Sequence, residues 1–183
     1  FFCHDNSRTT IVNNLLFAPI LDPIIEIIDN KTTHLTYAGP FSRLFGKKCF
    51  GNVVMYNRSL LFAYIFRIIK YRKNTVADLN NDPVLDHWKR VLDKVEPKII
   101  LGVNPPVELC VEAKKKNIWV ADIQHGIIAF GNYYDEGKRR SINQKGWPDA
   151  ILCWDEFSKL FVEKYFAQYV KAHIIGNPAI YSP

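Results

Sequence analysis

Asn117-Ile118-Trp119-Val120-Ala121-Asp122-Ile123-Gln124-His125-Gly126 decides the fold of this chain. Ile118, Trp119, Val120, Ala121 and Ile123 form a short, nearly continuous apolar run. A strand covered on both faces of a parallel sheet reads this way, because neither side of it meets water. The run then gives way to Gln124, His125 and Gly126. Ligands of open α/β sheets bind outside the carboxyl ends of the strands, so this polar triplet is the first candidate for chemistry. A second reading stands beside it: His125 hydrogen-bonds a turn and Gly126 lets the chain bend. Asp122 alternates in phase with Gln124, which places those two on one face and Ile123 and His125 on the other.

Working outward, the same pattern repeats. Lys98-Ile99-Ile100-Leu101-Gly102 reads as a central strand, and Val103-Asn104-Pro105-Pro106 opens a helix running to about Lys116. Before it, Asp82-Pro83 starts a helix with Val84, Leu85, Trp88, Val91, Leu92 and Val95 at helical spacing, ended by Pro97. After it, Pro148-Asp149 leads into a buried strand, Ala150 to Trp154. Asp155 then caps a helix carrying Phe157, Leu160, Phe161 and Tyr165, and Ala172 to Ile175 forms a last strand. Strands alternating with helices at short intervals imply a parallel sheet.

The N-terminal part reads less regularly. Phe1-Phe2-Cys3 has the look of the end of a first strand, followed by a polar loop, His4-Asp5-Asn6-Ser7-Arg8-Thr9-Thr10. In a parallel sheet that loop shares an edge with His125 and is a second candidate site; a plain polar turn is the other reading. Leu15, Leu16, Ile20, Ile24, Ile25, Ile27 and Ile28 predict a helix within 14–29, interrupted by Pro19 and Pro23, with Asp22 capping Pro23. His34 to Tyr37 and Val53 to Tyr56 predict two further strands around a basic loop at 40–51. A helix from about Ser59 to Lys73 contains the unbroken apolar run Leu60 to Phe66, closed by Arg67, Lys70, Arg72 and Lys73. It is shorter than the ~20 residues of a membrane span. It either packs on the sheet or lies in a membrane interface.

Composition narrows the function classes. The chain has 183 residues, 48% of them hydrophobic, with a net charge of +6. That is one ordinary domain with enough apolar content for a core. The basic residues are scattered, which suits either a solvated surface or anionic ligands. No nucleic-acid-binding motif accompanies them, and no G-x-G-x-x-G dinucleotide fingerprint is present. Cys3, Cys49, Cys110 and Cys153 lack metal-ligand or paired spacing, so the expectation is a reducing, cytoplasmic setting without a metal. Asn132 to Gly146 reads as a long polar loop directly after the candidate strand, as substrate-binding segments often are.

Gln124-His125-Gly126, the tyrosine-containing loop, Pro148-Asp149 with its strand, and Ile174-Ile175-Gly176-Asn177-Pro178 come in a recognisable order. The opening Phe2-Cys3-His4-Asp5-Asn6-Ser7-Arg8, followed by Leu21-Asp22-Pro23, adds to it. Together they resemble the N-terminal half of GT-B glycosyltransferases that build bacterial capsule and lipopolysaccharide. Gln-His-Gly is also similar to the Trp-His-Gly of CDP-glycerol glycerophosphotransferases, with Gln124 in place of the Trp. The resemblance implies a single α/β domain over 1–183, a Rossmann-like parallel sheet with helices on both faces, as one half of a GT-B architecture. It implies that 176–183 begin an interdomain linker and that a C-terminal donor domain is missing, leaving the chain inactive alone.

The same resemblance implies roles. His125 would deprotonate an acceptor hydroxyl, a task suited to imidazole's ordinary pKa of about 6.5. Asp5 or Asp122 would orient it or act as base or nucleophile. His4, Asn6, Ser7, Arg8, Gln124, Gly126, Tyr133, Tyr134, Lys138, Arg139 and Arg140 would contact substrate, the last three through a phosphate or acidic sugar. The partners would be a nucleotide-sugar donor and a glycan or lipid-linked acceptor, with a peripheral contact at the inner membrane face, and neither metal nor cofactor nor nucleic acid. Two other classes stay open: a sugar-nucleotide epimerase-like enzyme, which needs acid/base carboxylates in its cleft, and a non-catalytic α/β binding module, in which the candidate residues do not converge.

Overall fold

The computed structural model describes residues 2–5, 10–28, 35–38, 50, 53–54, 57–72, 81–128 and 143–181. Its strands are β1 (Phe2–Asp5), β2 (Thr10–Val12), β3 (Leu15–Phe17), β4 (Leu35–Ala38), β5 (Val53–Val54), β6 (Ile99–Val103), β7 (Trp119–Ile123), β8 (Ala150–Cys153) and β9 (Lys171–Ile174). The helices are α1 (Leu21–Ile27), α2 (Asn57–Tyr71), α3 (Pro83–Val95), α4 (Val107–Lys115) and α5 (Glu156–Phe166). Seven strands form one sheet in the order β5-β4-β1-β6-β7-β8-β9. Every described pairing in it is parallel. The chain builds outward from β1 in one direction through β4 and β5, then returns to the other side of β1 with β6. That reversal between β1 and β6 is the topological switch point of a doubly wound sheet.

The decisive stretch begins where it does for a local reason. Asn117 takes a left-handed backbone, φ 56°. Ile118 N–H then reaches Ala113 C=O at 2.9 Å and Asn117 N–H reaches Lys114 C=O at 3.2 Å. This pair of bonds closes α4 and turns the chain straight into β7. The two sides of β7 enter different cores. Val120 packs with Ile100 and with Trp88, Val91 and Leu92 of α3 and Leu109, Cys110 and Ala113 of α4. Ala121 and Ile123 pack with Leu101, Val103, Ala150 and Leu21 of α1. Helices therefore cover both faces. Beyond them, Trp147 stacks on Tyr169 at 4.7 Å and roofs a third cluster with Ile151, Cys153, Val162 and Phe166.

Helix starts follow the sequence. The Asp82 carboxylate accepts from Val84 N–H and Leu85 N–H with Pro83 at the first helical position, and Asp155 accepts from Ser158 N–H. Pro148-Asp149 is a stitch: Asp149 Oδ2 accepts from Val120 N–H, while its own N–H bonds Val120 C=O, both at 2.8 Å.

Several expectations are corrected. β1 continues through His4 and Asp5, which pair with Gly102 and Val103, so the first loop begins no earlier than Asn6. Residues 10–17 are a hairpin rather than the start of a helix. Asn13 and Asn14 carry φ values of 49° and 63°, the two consecutive left-handed residues of a type I′ turn. Leu15 and Leu16 consequently lie in β3, and only Leu21–Ile27 is helical. Asp22 does not cap Pro23; its buried carboxylate turns back to accept from Ala18 N–H at 2.7 Å. The strand at 53–56 is described only at Val53–Val54. The predicted helix at 59–73 is Asn57–Tyr71. Arg67 is not a solvated cation but 1% exposed. The basic loop at 40–51, apart from Phe50, lies outside the described residues.

Candidate functional site

The carboxyl ends of β1, β6, β7 and β8 form one edge. Registers carry Asp5 to Val103 and Gly102 to Asp122. Adjacent strands stand about 4.8 Å apart, so the ends of β1 and β7 are separated by about 10 Å, the span of one small ligand. The two candidate regions, one at His4-Asp5 and one at Gln124-His125-Gly126, therefore open on the same crevice edge.

At the tip of β6, Gly102 sits under Pro105: a Cβ at Gly102 would stand 3.0 Å from the proline Cβ. The chain folds back over its own strand end, and glycine leaves the room. Asn104 occupies the turn with φ 51°, a conformation asparagine tolerates better than most residues. Its N–H donates to Asp122 Oδ1 at 2.8 Å. Asp122 is fully buried. A carboxylate so placed is tolerated because a backbone donor satisfies it. Asp122 thus sets the β6 loop rather than facing solvent, and the phase argument that kept it from His125 agrees with this position.

Gln124 plays the matching part at the tip of β7. Its Nε2 donates to Gly126 C=O at 2.9 Å and to Ser158 Oγ at 3.0 Å. Its Oε1 accepts from Trp154 N–H at 2.7 Å. Both amide hydrogens and the carbonyl are engaged, and the residue is 2% exposed. Gln124, expected to contact substrate, instead ties β7 to β8 and to the first turn of α5. With its neighbours fixed in this way, His125 is left partly exposed just past the strand end. Gly126 has open space on its Cβ side.

Cys153, at the tip of β8, is fully buried and is a free thiol. Burial first, then the negative charges of Asp155 and Asp122, push its thiol up to about 12. Among the described residues, no group of three or more His, Cys, Asp or Glu stands together to hold a metal ion. Asn6, Ser7, Arg8, Tyr133, Tyr134, Lys138, Arg139 and Arg140 lie outside the described residues.

Asn104 is an exposed residue at this strand edge that sequence reading treats only as part of a helix start. Its signal was present: an Asn after Gly-Val and before Pro-Pro, at the end of a central strand, suits a left-handed turn.

Solved structures share this fold. The chain superposes on the UDP-GlcNAc 2-epimerase of Methanocaldococcus jannaschii with a TM-score of 0.53 at 14% identity, over 98% of this chain and 46% of that one. The UDP-GlcNAc 2-epimerase of Neisseria meningitidis bound to UDP-GlcNAc gives 0.51 at 15% identity, over 98% and 46%. The S. aureus MnaA–UDP structure gives 0.50 at 14%, over 98% and 45%. Identities this low establish the fold, a Rossmann-like α/β unit of a GT-B-type architecture. The chain spans just under half the length of these enzymes. No family model matches it, and no curated protein matches it.

Proposed function

We propose that this chain is the acceptor-side half of a glycosyltransferase, moving a sugar from a nucleotide-sugar to a glycan or lipid-linked acceptor in bacterial surface polysaccharide synthesis. The observation that carries the reading is the way Gln124 is consumed in locking β7 to β8 while His125 stands partly exposed just past the end of β7. In this reading the imidazole takes the proton of an acceptor hydroxyl as the hydroxyl oxygen bonds the anomeric carbon. The bond from that carbon to the nucleotide's phosphate oxygen breaks, and the nucleotide leaves. Asp5 orients the imidazole or serves as base. His4, Asn6, Ser7, Arg8 and Asn104 hold the acceptor at the β1 and β6 tips. Tyr133, Tyr134, Lys138, Arg139 and Arg140 supply rings and cations for the sugar and phosphates. A further domain, reached through 176–183, would bind most of the nucleotide-sugar. A lipid-linked acceptor would bring the enzyme to the cytoplasmic face of a membrane.

The likeness in fold to UDP-GlcNAc 2-epimerases favours a second reading, epimerisation of a nucleotide-sugar. Inverting a carbon by proton removal and return needs acid/base groups on both of its faces. Among the described side chains at the strand tips, Asp122 is spent on Asn104 N–H and Asp155 caps α5. His125, partly exposed past β7, is the side chain to which the transfer reading gives the single deprotonation of an acceptor. A mass-spectrometric screen of UDP-, GDP-, CMP- and CDP-sugars with lipid- and glycan-linked acceptors separates the two. Transferred sugar is the expected product; an epimerised donor without transfer overturns the proposal.

A further inference from the structure

The structure assigns the outward face of α2 as a docking surface for an anionic lipid bilayer. The helix divides its sides sharply. Leu60, Ala63 and Arg67 are buried against the rest of the molecule. On the opposite side Phe62, Ile65, Phe66 and Ile69 are 58%, 41%, 60% and 69% exposed. These four fall at i, i+3, i+4 and i+7, one continuous stripe two turns long. Single exposed apolar residues need no explanation, but four large ones in register on one helix face do.

Charge decides between occupants. Asn57–Tyr71 contains no Asp or Glu. Arg58 is exposed on the same stripe, one turn before Phe62, and Arg72 is exposed at the other end, where Lys70 turns its ammonium to Asn81 C=O at 3.1 Å. An apolar stripe bracketed by cations is the pattern of a helix lying in the headgroup plane, rings below and basic side chains level with the phosphates. A second copy fits worse. A two-fold contact sets this helix against itself, which brings the basic ends of the two copies together, and the helix carries no Asp or Glu of its own. At 15 residues the helix is too short to span a bilayer, and no helix among the described residues is long and apolar enough to do so. The surface stands on α2 alone and does not depend on which reaction the strand-end site performs.

Flotation of the intact protein with vesicles tests this directly. One set is phosphatidylcholine, the other phosphatidylcholine with about a third phosphatidylglycerol, each at low and high salt. The wild type is expected to float with the anionic vesicles and to be released by salt. Phe62→Ser, Phe66→Ser and Ile69→Ser combined should lower partitioning by more than about tenfold while circular dichroism and urea melts stay native. Arg58→Gln and Arg72→Gln should each cost roughly fivefold, on anionic vesicles only. Failure of the folded wild type to float with either vesicle overturns the proposal. So does equal flotation of the triple variant. A dimer in sedimentation that the triple variant abolishes, without lipid binding, overturns it in favour of a second copy.

Discussion

Two of the regions that bury polar groups, under α2 and at the strand tips, do so to opposite ends. Under α2, Arg67 donates to Asp82 Oδ1 from Nε and Nη2, at 3.0 and 2.7 Å, and to Glu108 Oε1 at 2.6 Å. One guanidinium joins α2, the cap of α3 and the first turn of α4. Burial alone would lower its pKa, but its two carboxylate partners outweigh that and hold it above its usual value. All of its charge is spent inward. At the strand tips, Asp122 and Gln124 are just as buried, yet their partners are mostly backbone. They hold loops, and the loops present Asn104 and His125 outward. A buried polar group can thus pin a core or aim a site, and the partner type distinguishes the two.

The sharpest way to break this comparison is Arg67→Met. It leaves Asp82 and Glu108 buried and uncompensated, which should cost about 3–5 kcal/mol in urea denaturation. Adding Glu108→Leu should recover part of the loss, since a pair removed together leaves less uncompensated charge. If Arg67→Met is neutral, the network is not what joins these helices.

The helical side should also show itself in acid. Burial, then the charge of Arg90, lowers the His87 pKa from 6.5 to about 4. Unfolded chains take up that proton below about pH 6.5, and the native state does not until about 4. Stability from this residue is therefore full above pH 6.5 and is lost as pH falls toward 4, by up to about 3 kcal/mol. His87→Gln should flatten that part of the stability profile; an unchanged slope would assign it elsewhere.

At the strand tips the effects should be smaller in stability. Asp122→Ala removes a charge-assisted bond to Asn104 N–H and should cost about 2 kcal/mol. Its effect on any transfer activity should exceed what the lost stability explains, because the β6 loop is released. Gly102→Ala should cost about 1–2 kcal/mol by pressing on Pro105. A crystal structure of that variant with the Asn104 turn unmoved would show that the close approach is not what shapes the tip.

Much of the frame was legible because it rests on local chemistry. Asp82-Pro83 and Asp155 mark helix starts, Pro97 marks a stop, and the apolar runs at Ile99 and Trp119 mark central strands. The Gly176-Asn177-Pro178 ending is likewise local. Gly176 takes φ 80°, and Asn177 Oδ1 accepts from Ala179 N–H to cap a short 3₁₀ turn that packs by α1. What was not legible depends on tertiary partners. Leu15 and Leu16 fit a helical spacing as well as a strand, and only the paired left-handed asparagines decide for the hairpin. Arg67 reads as surface until Asp82 and Glu108, 15 and 41 residues away, fold around it. His125 stands out as a candidate from the end of its strand alone. Gln124 beside it looked equally available, because its partners Trp154 and Ser158 come 30 and 34 residues later.

The most direct measurement pairs sugar transfer with urea denaturation on His125→Ala. A partly exposed side chain outside the cores should change stability by no more than about 0.5 kcal/mol, while transfer falls at least about a hundredfold. Transfer at the wild-type rate, or a drop matched by an equal loss of folded protein, would contradict the assignment of His125 as the group that the strand tips present.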